Sequence, residues 1–382
     1  MTMATAESTS GLELRSLVTA ERVLEISLVE APRPEPTPSQ VVVRVEAAPV
    51  NPSDLGLLLA GADIEAASFE GPAERPLVRI PVEERAMRSL AGRVGKSLSV
   101  GNEGAGVVVA AGADAAALGL LGRVVAVAGG AMYAEYRCVE AAQCLALPEG
   151  MTPKMGASSF VNPMTTLGMI GTMRNEGHSA LIHTAAASNL GQMLVKLCDE
   201  EHVALVNVVR KHEHEELLRS IGATHVCNST APSFMQDLIE AIGTTGATIA
   251  FDAVGGGPLA SQILTGMEAA SVASTADYSR YGSTTHKQVY IYGGLDTSPT
   301  VLTRSFGFAW GLGGWLVSSF LQGIAPEEFQ ALRQRVVAGL PSTFASTYTR
   351  EVSLAEALMP DSLAGYSKKA TGEKYLVTPW GR

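Results

Sequence analysis

SALIHTAAASNLGQMLVKLCDEE (179–201) changes character twice along its length. SALIHTA (179–185) is an apolar run of strand length. From Leu190 onward the apolar residues recur at helical spacing, with Leu190, Leu194, Leu197 and Cys198 on one face. Between the two lies HTAAASNLGQ (183–192), a turn of small residues. Small side chains let the backbone approach a pyrophosphate, and free N–H groups at the helix start point at the anion. The usual GxGxxG is absent; Ala187, Ser188, Asn189, Leu190 and Gly191 stand in its place. A tight strand–helix turn without a ligand has the same pattern.

The alternation continues in both directions. ALVNVVR (204–210) predicts a second buried strand, HEHEELLRSIGA (212–223) a helix and HVCN (225–228) a third strand. SFMQDLIEAIG (233–243) predicts another helix, TIAFDAVGGG (248–257) a fourth strand with a glycine turn, and QVYIYGGL (288–295) a fifth. Strands alternating with helices of this length predict a doubly wound parallel sheet. The second strand ends Val208-Val209-Arg210-Lys211. An Asp or Glu there bonds the ribose 2′-OH of NAD, whereas cations accommodate a 2′-phosphate. Arg210 and Lys211 therefore predict NADPH; a solvated basic pair beside an acidic helix is the alternative.

Before residue 160 the texture is β. VVVRVEAAPV (41–50), GAGVVVAAG (104–112) and GRVVAVAGG (122–130) are short strands that suggest a small barrel-like domain, and residues 54–60 suggest a short helix. Residues 1–15 read as a frayed terminus, and 62–99, polar and punctuated by Gly and Pro, as an inserted loop able to control substrate access. PEEFQALRQRVVAG (326–339) predicts a further helix, and TYTREVSL and KYLVTP in the tail suggest β structure returning to the first domain.

The 382 residues, 46% hydrophobic and 17% charged, suit two folded domains. A net charge of -10 argues against a nucleic-acid partner. Four widely spaced cysteines form no CxxC pair, which points to a reducing, cytoplasmic compartment. MTMATAESTSG has neither a charged n-region nor an apolar h-region, so no signal peptide is expected. The apolar stretch 306–321, rich in Gly and Trp, reads as a buried strand or interface rather than a membrane span.

The segments AAPVNPSDL (47–55), GNEGAGVVVAAG (101–112), FVNPMTTLGM (160–169), VNVVRK (206–211), FDAVGGG (251–257), YGGL (292–295) and GGWLVSSFLQGIAPEEFQ (313–330) occur in the order of a known family. With the 183–192 turn, they resemble the medium-chain dehydrogenase/reductase superfamily, in its zinc-independent quinone reductase and mitochondrial-type enoyl thioester reductase branch. That resemblance implies an α/β fold: a GroES-like β-barrel domain (1–160 and 323–382) around a doubly wound, parallel-sheet Rossmann NADP-binding domain (161–322). It implies an active site in the cleft between them, and a homodimer formed through the last Rossmann strand, near 310–320.

The resemblance assigns residues as well. Asn51 would sit beside the nicotinamide or substrate, and Thr165 near the nicotinamide or its phosphate. Ser188, Asn189, Leu190 and Gly191 would cradle the pyrophosphate, with Asn207, Arg210 and Lys211 around the 2′-phosphate. Val254, Gly255, Gly293, Gly294 and Leu295 would line the cofactor groove, and Lys374 would be a late contact.

The zinc-dependent branch carries Gly-His-Glu where this chain has Gly101-Asn102-Glu103, and no cysteine falls at ligand spacing, so no metal is expected. His212 and His214, at i and i+2, do not share a helix face and are expected to be solvated. The enoyl thioester reductases have a Tyr shortly after the NPSD segment; residues 59–63 here contain none. Tyr133, Tyr136, Tyr292 or water would have to supply the proton. The expected activity is NADPH-dependent hydride transfer to a small molecule with an electron-poor double bond, a quinone or an enone. The alternatives are enoyl thioester reduction, with Arg280, His286 and Lys287 as a basic groove for the carrier, and a non-catalytic NADPH sensor.

Overall fold

The computed structural model describes residues 9–275 and 279–381. They separate into two compact units. One comprises the residues up to Val161 and those from Arg335 onward; the other is Asn162–Gln334.

The first unit is β-rich. Gln40–Pro49 is its central strand, with Val41, Val43, Val45 and Ala48 in the main core and Ala47 packed in a smaller cluster with Ala157 and Leu376. It pairs antiparallel with Glu103–Ala111 on one side and Tyr136–Glu140 on the other. Near its end it also pairs with Tyr375–Val377 from the C-terminal tail, so residues more than 300 apart in sequence share one sheet. Each fully buried Val, Leu or Ile contributes about 1.5–3 kcal/mol to this core.

Two expectations for this unit are corrected. Residues 1–8 lie outside the described residues, but Ser10–Val18, which includes most of the remaining expected frayed terminus, is a regular strand paired with Val23–Pro32. Leu14 and Val18 are core residues. The 62–99 segment is not an inserted loop. It contains the strand Leu77–Pro81, paired with Val23–Pro32, and the short strands Ser68–Glu70 and Ser97–Ser99 at the two edges of the same five-stranded sheet. Val78, Ile80 and Val82 are buried in the core. Their period-2 spacing was obscured by the polar residues between and around them.

The second unit is a doubly wound sheet of six strands. In spatial order they are His225–Asn228, Ala204–Val209, Ala180–Thr184, Ile249–Asp252, Lys287–Ile291 and Trp310–Gly314. All five pairings are parallel. This is the 3-2-1-4-5-6 order of the Rossmann fold, whose ligands bind outside the carboxyl ends of the strands where the order reverses. The apolar positions of the strands face a core with Leu238, Ile242, Ile263 and Leu264 of the helices Phe234–Thr245 and Leu259–Ala273. In the 306–321 stretch only the sixth strand, Trp310–Gly314, and the short helix Val317–Gln322 are regular.

Candidate functional site

In the second unit, the expected cofactor segments gather at the carboxyl ends of the parallel strands. The first strand ends at Thr184, and the helix Asn189–Glu200 starts after a four-residue turn. Ser188 is the N-cap, its hydroxyl accepting the Gly191 N–H at 3.2 Å. At Gly191 a Cβ would meet the Ala186 carbonyl oxygen at 2.0 Å, so only glycine allows the turn to close this tightly. Ala185 takes a positive φ of 50°, uncommon for a residue with a Cβ. Asn189 and Leu190 are half-buried in the first turn of the helix.

Thr184 and Asp252, which the sequence did not single out, join the first and fourth strands at this switch point. Thr184 Oγ1 donates to Asp252 Oδ1 at 2.6 Å and accepts the Ala253 N–H at 2.8 Å. Asp252 also accepts the Val254 and Gly255 N–H groups at 2.9 and 3.1 Å. The chain beyond the fourth strand then zips to the chain beyond the fifth: Leu295 N–H donates to the Ala253 carbonyl, and Gly255–Gly257 pairs with Asp296–Thr300. A Cβ on Gly255 would meet the Gly293 carbonyl oxygen at 2.8 Å. Gly255 thus permits close approach to Gly293, and Gly293 to Ala253, whose carbonyl oxygen a Cβ would meet at 2.6 Å, while Gly294 has open space around it. Tyr292, Gly293, Gly294, Gly314, Trp315 and Leu316 line an open depression of about 510 Å³.

At the end of the second strand, Arg210 and Lys211 are exposed, Lys211 pairing with Glu213 at 3.0 Å. Asn207 is buried within the strand, where its Nδ2 donates to the His225 carbonyl at 3.2 Å. Thr165 is buried in the helix Val161–Asn175. His212 is exposed, whereas His214 is largely covered, contrary to expectation.

Lys287 is also corrected. It is fully buried and bonded to Glu268 at 2.6 Å, so it cannot join the exposed Arg280 and His286 in a groove. Of the tyrosines, Tyr292 bonds His183 Nε2 at 2.7 Å; burial holds that histidine neutral, with its pKa pushed down to about 3. Tyr136 stacks edge-on against Trp380, and the buried Tyr133 donates to the Pro49 carbonyl at 3.0 Å.

In the first unit, Asn51 precedes the helix Pro52–Leu59 and is 2% exposed. Its N–H donates to Asp54 Oδ2 at 2.8 Å and its Nδ2 to Glu103 Oε1 at 2.9 Å. Asp54 Oδ1 accepts the Asn102 N–H at 2.7 Å. Glu103 Oε2 accepts two further N–H groups, from Phe160 at 2.7 Å and Val161 at 3.0 Å. Lys374, expected among the cofactor contacts, is buried in the same cluster, where it attracts both carboxylates. Burial drives all three toward neutrality: Asp54 up to about 7, Glu103 upward, and Lys374 down to about 8. The Asn-x-x-Asp spacing at 51–54, a variant of the helix capping box, was the sequence signal for Asp54. Glu103 and Lys374 had no such signal, because strand pairing brings them together. Among the described residues, no three His, Cys, Asp or Glu side chains group to hold a metal ion.

The architecture defines the class: a GroES-like β unit joined to a Rossmann unit. No family model matches the chain. It is 30% identical over 227 residues to the rat synaptic vesicle membrane protein VAT-1 homolog, covering 58% of this chain and 48% of the relative. It is 29% identical over 175 residues to mouse prostaglandin reductase-3, covering 44% of this chain and 45% of that protein. The chain thus spans about half the length of the curated relatives it matches. Among solved structures, a Mesorhizobium loti protein assigned to the NADPH:quinone reductases superposes with a TM-score of 0.71 and 27% identity, over 98% of this chain and all of the other. The chain therefore shares the fold of the M. loti protein and is similar in sequence to part of the VAT-1 homolog and of prostaglandin reductase-3. No described helix is long and apolar enough to cross a membrane.

Proposed function

We propose that the chain is an NADPH-dependent, zinc-independent oxidoreductase that reduces an electron-poor conjugated double bond, in a quinone or an enone. The observation that carries this reading is the pair of exposed cations, Arg210 and Lys211, at the end of the second Rossmann strand, where an acid would select NAD. The switch-point turn fits a dinucleotide, being closed by Gly191 and capped by Ser188. The names of the M. loti protein and of prostaglandin reductase-3 agree with the reading.

Ser188 and the first turn of its helix hold the pyrophosphate, Arg210 and Lys211 hold the 2′-phosphate, and Val254, Gly294 and Leu295 border the groove. The bound nicotinamide supplies the hydride. Asn51 uses one Nδ2 hydrogen on Glu103, and its second is available to a carbonyl oxygen as negative charge develops there. An acceptor that is already conjugated needs no Lewis acid for this step.

The test is NADPH consumption against a panel of quinones, alkenals and enoyl-CoAs, with NADH in parallel. Turnover with a quinone or alkenal and NADPH is expected. NADPH binding without turnover of any acceptor would make this a binding protein, and turnover restricted to enoyl-CoAs would move it to the thioester reductases.

A further inference from the structure

The buried charges of the first unit do not balance. Asp54, Glu103 and Lys374 are 1%, 0% and 8% exposed, giving two acids to one cation. Buried charges persist only when paired or hydrogen-bonded. Glu103 has the fuller set of bonds: Oε1 takes the Asn51 amide, and Oε2 takes the N–H groups of Phe160 and Val161. It therefore ties the Asn51 side chain to the residues from which the chain runs on into the helix Val161–Asn175.

Lys374 attracts both carboxylates. Its ammonium also lies 3.4 Å from the Ser346 hydroxyl and 5.6 Å from the centre of the Tyr348 ring, inside the same unit.

We propose that Glu103 is the positioning residue for Asn51, and that Lys374 is the buried counter-cation of Glu103 rather than a cofactor ligand. This rests on the functional reading above for the role of Asn51. Glu103 takes one Nδ2 hydrogen and so fixes the direction of the other. Without Lys374, the Glu103 carboxylate is left with an acid neighbour and no cation. Without Glu103, the Asn51 amide rotates and Lys374 is left unpaired.

The test is a double-mutant cycle of Glu103→Gln, Lys374→Met and the two together in the full chain. Three quantities are read: steady-state kinetics, NADPH affinity by fluorescence titration, and the Asn51 side-chain amide resonance, assigned with Asn51→Ala. Each single substitution is expected to lower kcat at least tenfold, to leave NADPH affinity within twofold and to move the Asn51 resonance. The double variant should lose less kcat than the product of the two single losses. A more than tenfold loss of NADPH affinity in Lys374→Met would overturn the assignment by making Lys374 a cofactor ligand. An unmoved Asn51 resonance in folded Glu103→Gln protein would also overturn it, as would unchanged kcat in both single variants. Should the wild type turn over no acceptor, the functional reading fails, and the resonance and affinity still decide whether Glu103 orients Asn51 and whether Lys374 binds cofactor.

Discussion

Arg210 and Asp54 are the residues whose chemistry is most exposed to test. Arg210→Ala should weaken NADPH by about 1.5–3 kcal/mol, the scale of a hydrogen bond to a charged group, and leave NADH nearly unchanged. Equal losses for both cofactors would remove Arg210 from the 2′-phosphate. Asp54 carries its carboxyl at about 7 instead of 3.8, mainly through burial. Between about pH 4 and pH 7 the folded chain thus keeps a proton that the unfolded chain releases, so this group's contribution to stability falls as pH rises through that window. Asp54→Asn removes the titration, and its melting temperature should fall less between pH 4.5 and 7 than the wild type's. Parallel curves for the two proteins would contradict the assigned burial. These groups were only half legible in the sequence. Asn51, Ser188, Gly191, Arg210 and Lys211 sit in local patterns with a physical meaning. Glu103 and Lys374 are 271 positions apart and meet only because Tyr375–Val377 pairs with Gln40–Pro49, which in turn pairs with Glu103–Ala111.

Among the elements, the strand Leu77–Pro81 changes an expectation into its opposite. Replacing 62–99 with a short linker would delete a strand whose Val78 and Ile80 lie in the core, so the first unit should fail to fold instead of gaining a new substrate profile. Ile80→Ala should cost about 2–5 kcal/mol, read from the midpoint of urea unfolding. A cost below about 1 kcal/mol would mean that the strand is peripheral. The strand–helix turn at 184–189 offers the converse. Ala185 already has a left-handed backbone, so Ala185→Gly should be neutral or stabilise by up to about 1 kcal/mol. The alternating elements after residue 178 were legible because long apolar periods outlast noise. Ser10–Val18 and Leu77–Pro81 were not, since each sets a few inward residues among polar neighbours, and pairing with Val23–Pro32 completes them.

For the whole molecule, two units with separate cores carry one proposal: that hydride passes directly from NADPH to a conjugated carbon. The measurement that reaches it most directly is turnover with NADPH deuterated at the transferable position, an enone as acceptor and NADH as the control. The account predicts one deuterium at the β-carbon of the product, a primary isotope effect on single turnover, and a clear preference for NADPH. NADPH that binds and is never oxidised, or a product without deuterium, would contradict it.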